Sequence, residues 1–215
     1  MIAVPGNHQI TKILALGAHP DDIEIGCGGA ILDAISRNPK LQFHWEVFSG
    51  NPTRKIEATS SAQAILGSTQ SSIHINDFQD SYFPDEWSQI KKRFGAIATT
   101  FQPDLILTHH LEDRHQDHRV LAELTWNTFR NHLILEYEIP KYEGDLLPKN
   151  CYIGFNKSIA KKKTDLLITH FGSQREKKWF DVEVFQGLMR VRGIESTDCT
   201  DYAEAFYCRK FSLKI

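Results

Sequence analysis

Short apolar runs alternate with stretches of helical spacing along most of this chain, and that alternation constrains the fold more than any other feature. Lys12–Ala18 (KILALGA), Leu41–Ser49 and Leu105–Thr108 (LILT) mark buried strands, being short, apolar and bounded by polar residues. Further strands are expected at Ser72–Ile75, Leu133–Ile139, Cys151–Gly154 and Ala203–Ser212. Helices are predicted at Gly29–Asn38, Arg54–Leu66, Pro84–Phe101, His118–Arg130, Ser158–His170 and Arg175–Arg190. Asn38-Pro39 stops the first, Gly67 lies just past the second, and Pro84 suits the first turn of the third. The pattern predicts an α/β fold: a three-layer, Rossmann-like, mostly parallel sheet with helices on both faces.

A chain of 215 residues suits one domain over 1–215, with the less regular stretch 138–157 as an insertion near the site. Apolar residues make up 41% and charged residues 24%, which excludes a disordered or collagen-like chain. Lys and Arg number 25 against 27 Asp and Glu, so the net charge of −2 leaves no basic excess for a phosphate backbone, and nucleic acid is excluded as a main partner. No apolar run reaches the ~18 residues that span a bilayer. The N-terminus, MIAVPGNHQITK, does not read as a secretion signal. Cys27, Cys151, Cys199 and Cys208 form no CxxC pair, so free thiols in a cytoplasmic compartment are expected.

In a parallel sheet, ligands bind beyond the carboxyl ends of the strands. Two polar segments follow predicted strands there. The first is Ala18-His19-Pro20-Asp21-Asp22-Ile23-Glu24; the second runs from Thr108 to His118, THHLEDRHQDH. Adjacent acids beside a proline-stiffened histidine turn, and four histidines in ten residues, exceed what a loop needs in order to fold. The plainer alternative makes Asp21 or Asp22 and Asp117 helix caps and leaves the histidines on the surface. That alternative is weakened because both segments leave the same edge of the sheet. His19, Asp22 and one histidine of the second segment supply the three protein ligands of an open catalytic zinc site. A remaining carboxylate then acts as base and a remaining histidine as proton donor, a set suited to amide or ester hydrolysis.

The combination AHPDDIE followed by HQDH resembles the LmbE-like/PIG-L family of zinc-dependent N-acetyl-sugar deacetylases. The likeness runs from Ile13 to near the C-terminus. Arg54–Gly67 is similar to the family's RxxE…A…LG helix, Phe171-Gly172-Ser173-Gln174 to its SQ element, and Tyr202–Phe206 (YAEAF) to its terminal motif. The resemblance implies His19, Asp22 and His118 as zinc ligands, and Asp21 as the general base. It implies His115 as oxyanion stabiliser and proton donor, with Asp117 holding the His115 ring by a hydrogen bond. Arg54 and Asp80 match positions that bind sugar hydroxyls. The implied activity removes an N-acetyl group from an N-acetylhexosamine conjugate, giving acetate and an amino sugar. Alternatives are an amidase for a different N-acyl sugar and a non-catalytic sugar-binding homologue. Zinc is the implied cofactor, and ferrous iron suits the same donors. A small-molecule N-acetyl sugar conjugate is the implied partner, with a homo-oligomer expected because relatives often assemble as multimers.

The chain has Gln116 where the family commonly has proline, and 138–157 follows no family pattern. Gly26, Gly28 and Gly29 do not make a nucleotide loop, because Ile31 occupies the last glycine position of GxGxxG; they are expected to allow close backbone packing. Cys27 reads as a small buried thiol, and His8, His44, His74 and His132 as structural or surface residues. His109 and His110 are expected to shape the pocket without ligating. Core packing is the default expectation for Trp45, Trp87, Trp126 and Trp179, though sugar-binding proteins also stack sugar rings on aromatics.

Overall fold

A computed structural model describes residues 10–196 and 200–211. The expectations for His8 and Cys199, and the final residue of the closing strand, Ser212, lie outside the described residues. Those residues form seven strands and six α-helices in the order β1 (Lys12–Gly17), α1 (Asp22–Arg37), β2 (Gln42–Ser49), α2 (Pro52–Leu66), β3 (Gln70–Phe78), α3 (Phe83–Thr100), β4 (Leu105–His109), α4 (Gln116–Thr128), β5 (Leu133–Tyr137), β6 (Cys151–Phe155), α5 (Lys157–His170), α6 (Val182–Glu195) and β7 (Tyr202–Tyr207). The sheet runs β3-β2-β1-β4-β5-β7-β6. It is parallel from β3 through β5, while β7 is antiparallel to both β5 and β6. No helix among the described residues is long and apolar enough to cross a membrane.

The central strands face helices on both sides, so alternate residues enter different cores. Ile13 and Ala15 of β1 join the cluster under α1, α2 and α5; Leu14 and Leu16 join the one under α3 and α4. The chain leaves β1 toward β2 and β3, then returns to pair β4 against the opposite side of β1. This reversal opens a crevice between the carboxyl ends of β1 and β4, where two helix N-termini point at the same space.

Helix α1 begins seven residues earlier than the sequence predicts and runs through all three glycines. Two tertiary contacts override the local signal. The Glu204 carboxylate accepts the backbone N–H groups of Gly29 (2.8 Å) and Ala30 (2.7 Å) within the helix. Lys163 Nζ donates to the Ile25 carbonyl (2.5 Å) and to Glu204 Oε1 (2.6 Å). The glycines also let buried rings approach: a Cβ on Gly29 would lie 2.5 Å from Phe155 Cζ, and one on Gly26 2.6 Å from Tyr137 Cγ. The Tyr137 ring cannot retreat, because its hydroxyl donates to the Leu16 carbonyl at 2.6 Å. Gly26→Ala is therefore expected to cost about 1–3 kcal/mol, read as a lower urea midpoint at unchanged slope.

Other departures have local causes. Strand β3 is longer than predicted, since its polar sequence hides the strand signal and only pairing with β2 holds it. The last helix starts at Val182 instead of Arg175. Gly172–Gln174 forms a 3₁₀ turn, and Asp181 caps α6 by accepting the Glu183 N–H at 2.7 Å. Strand β7 ends at Tyr207.

Candidate metal centre and its cleft

His19, Asp21 and Asp22 lie in the turn from β1 into α1, and His115, Asp117 and His118 at the N-terminus of α4. Parallel pairing of β1 with β4 brings the two turns together across 99 residues of sequence. His19 Nδ1 lies 3.2 Å from His118 Nε2 and 3.4 Å from Asp22 Oδ2, and His118 Nε2 lies 3.6 Å from Asp22 Oδ2. Zinc with ligands at ~2.0–2.1 Å in tetrahedral geometry requires donor separations of about 3.4 Å. Two imidazole nitrogens and a carboxylate oxygen at this spacing fit such an ion, and all three side chains are buried. Burial pushes His118 down to about 4, which keeps its imidazole neutral, whereas in His19 the lowering by burial is outweighed by hydrogen bonds to Asp117, Asp22 and Asp80 that raise it well above the ordinary imidazole value, so a metal binding there would displace a proton.

Asp21 adopts a left-handed backbone (φ 94°, ψ −23°), uncommon for a residue with a side chain, and makes no side-chain cap to α1. Its Oδ1 pairs with Arg54 at 3.0 Å, while Oδ2 has no hydrogen-bond partner among the described residues. Burial pushes the Asp21 carboxyl up to about 7, opposed by the Arg54 guanidinium. Asp22 instead accepts the His19 N–H at 2.7 Å and turns toward the two imidazoles. The adjacent acids thus face different partners. Arg54 also donates to the Pro20 carbonyl, so this arginine lies against Asp21 at the cleft wall.

His115 caps α4, its Nδ1 accepting the Asp117 backbone N–H at 3.3 Å. That bond assigns the ring proton to Nε2. The Asp117 carboxylate is placed differently from the sequence expectation. It accepts the backbone N–H groups of Ser81 (2.6 Å) and Phe83 (3.2 Å) and meets His19 Nε2 at 3.1 Å. The turn before α3 draws it away from His115, a contact between segments 34 and 36 residues apart that the HQDH spacing does not reveal. Asp80 is largely exposed and lies 3.2 Å from His19 Nε2, a hydrogen bond that holds its carboxyl below the usual range.

Several participants carry no obvious sequence signal. His118 Nδ1 hydrogen-bonds Asp113 Oδ2 at 3.0 Å, and Asp113 Oδ1 accepts the His115 N–H at 2.7 Å. His109 lies behind the donors, stacked on His118 with ring centroids 3.8 Å apart, its Nε2 3.2 Å from Asp22 Oδ2. His110 points away, toward Glu136. Lys141, Tyr142, Glu143, Gln174, Lys177 and Trp179 complete an open cleft around the site. Trp179 therefore lines the cleft, unlike Trp45, which is fully buried. Another His/Glu cluster (His44, Glu46, His74) is closed to a metal, because Arg93, Asn76 and His44 already occupy the Glu46 oxygens.

Residues 14–129, just over half of the chain, match the family model described as PIG-L, GlcNAc-PI de-N-acetylase. An uncharacterised deacetylase of Escherichia coli K12, YaiS, is 29% identical over 150 residues, covering 64% of this chain and 78% of that protein. Among solved structures, the N,N'-diacetylchitobiose deacetylase of Pyrococcus horikoshii is similar with a TM-score of 0.66 at 17% identity, covering 93% of this chain and 84% of its own. The 4-carboxy-2-hydroxymuconate hydratase GalB of Pseudomonas putida KT2440 has a TM-score of 0.71 at 16% identity, covering 96% and 99%. At these identities the two structures establish the fold alone, and the hydratase illustrates that this fold hosts more than one chemistry.

Proposed function

The chain belongs to the PIG-L de-N-acetylase family, and from that premise we propose that it is a metal-dependent hydrolase removing the N-acetyl group of an N-acetylhexosamine conjugate. The observation that carries this reading is the convergence of the His19, Asp22 and His118 donors beside an acid and a histidine that are not used as ligands. Those three residues would hold zinc, or ferrous iron with the same donors. When bound, the ion supplies Lewis acidity for the amide carbonyl and the attacking water.

The chain's own residues do the rest. Asp21 takes a proton from the water as its oxygen attacks the carbonyl carbon. Arg54, paired with Asp21 at 3.0 Å, holds that carboxylate in place. His115, with its proton on Nε2, donates to the developing oxyanion. The C–N bond breaks as the nitrogen receives the proton that Asp21 took from the water, giving acetate and the free amine. Asp117 orients His19 instead of His115, since its carboxylate meets His19 Nε2. Arg54 and Asp80 on the cleft wall would meet sugar hydroxyls, with Trp179 as an apolar face for the ring.

The reading takes 1–215 as one catalytic domain acting in the cytoplasm as a homo-oligomer; of the stretch 138–157, Ile139, Lys141, Tyr142 and Glu143 line the cleft that the conjugate would enter, while Cys151–Phe155 form β6. Its test is acetate release from a panel of N-acetylated sugar conjugates. A chelator is expected to abolish release, and added zinc to restore it. Release that persists in metal-free protein would reject metal-dependent hydrolysis.

A further inference from the structure

The connection from β5 to β6, residues 138–150, has no regular secondary structure but is pinned by buried charge at both ends. At its far end Lys149 lies 3.5 Å from Glu138, which Arg192 grips through both oxygens at 2.7 and 2.8 Å. At its near end Lys141 Nζ donates to Asp145 Oδ1 (2.7 Å) and Oδ2 (2.8 Å) and to Asp113 Oδ2 (3.1 Å). Asp145 Oδ2 in turn accepts the Arg114 N–H at 2.7 Å. The Lys141 side chain is 9% exposed and that of Asp145 4%. Lys141 thus touches the same Asp113 oxygen that hydrogen-bonds His118 Nδ1.

We infer that Asp113 is the positioning residue of the metal centre, fixing the His118 ring so that Nε2 faces the ion, and that the Lys141–Asp145 pair of the cleft wall holds Asp113 there. This rests on the proposed metal site. A histidine that ligates through Nε2 needs its Nδ1–H fixed, and a carboxylate does this while adding negative charge toward the cation. Asp113 has both oxygens engaged, one by His118 and Lys141 and the other by the His115 N–H, so it cannot rotate without losing several bonds. It also links His118 with His115, the proposed proton donor. Asp113 lies five residues before His118 in the loop preceding α4, whereas its support comes from 28 residues further on.

The test is zinc affinity of the metal-free full chain, measured by competition with a chromophoric chelator, together with the absorption spectrum of the cobalt-loaded protein. Asp113→Asn is expected to weaken zinc binding roughly 10–100-fold and to alter the cobalt spectrum. The double variant Lys141→Met with Asp145→Asn removes one positive and one negative charge, so the net charge near the ion is unchanged. It is expected to weaken zinc about tenfold through loosened positioning. Should Asp113→Asn fail to fold, Asp113→Glu takes its place under the same expectation, since it keeps the charge and moves the carboxylate by one methylene away from the position that fixes His118 Nδ1. Wild-type zinc affinity and cobalt spectrum in folded Asp113→Asn would overturn the role of Asp113, and in the double variant that of the pair. A wild type that binds zinc but deacetylates no sugar conjugate would reject the proposed reaction and leave this inference standing. Absence of zinc binding by the wild type would overturn both.

Discussion

Asp21→Ala is expected to lower turnover by roughly 10²–10⁴-fold while the protein keeps its metal. The expectation follows from how two adjacent acids diverge. Asp22 is turned inward, with its Oδ2 3.4 and 3.6 Å from the imidazole donors, and belongs to the proposed ligand set. Asp21, in its left-handed conformation, points instead to Arg54 and contributes no atom to that set. Alanine at position 21 removes the proposed base without touching a ligand. His118→Ala is the contrast, because it takes one of the three donors and should lose metal occupancy along with activity. Metal analysis and initial rates on the same samples separate the two outcomes. Wild-type rates in Asp21→Ala would mean that another group takes the water proton.

The second large effect concerns stability. Glu204→Gln is expected to destabilise the protein by about 3–5 kcal/mol, because it leaves a buried lysine without its counter-charge. Both side chains of the Lys163–Glu204 pair are 4% exposed. The glutamate also accepts two N–H groups from the middle of α1, and only one side of a glutamine amide can accept. For a chain of this length the loss corresponds to a fall in Tm of roughly 10 °C. Glu204→Leu combined with Lys163→Met should recover much of it. The Gly29 N–H then has the Ile25 carbonyl, four residues back in α1, as its helical acceptor, and a matched apolar pair replaces an orphaned charge. Calorimetry of the single and double variants tests this. A single variant as stable as the wild type would show that the pair is not what holds α1. The YAEAF motif near the C-terminus is thus assigned a structural task, bracing the helix that carries Asp22.

Much of the site is legible in the sequence because strand ends are legible. KILALG and LILTH are apolar enough to be identified as buried strands, and polar segments after parallel strands must emerge on one edge of the sheet. A parallel sheet with strands at these positions thus brings His19 and Asp22 near His118. It does not place side chains whose partners lie in segments with weak local signals. The polar strand β3 and the turn after it are such a segment, and that turn captures the Asp117 carboxylate that the family resemblance assigns to His115. Residues 138–150 are another, with no periodicity to read, yet they supply Lys141 and Asp145.

The sequence by itself determined the layered α/β architecture, the edge of the sheet where the His- and Asp-rich turns meet, and the residue types gathered there. Periodicity and the alternation of strands with helices are local properties written along the chain. Only the tertiary structure decided the start of α1, the partner of Asp117, the engagement of Asp113 and the place of Trp179 in the cleft wall. Each of these depends on contacts between segments distant in sequence, where burial forces a polar group to take whichever partner the packing brings within reach.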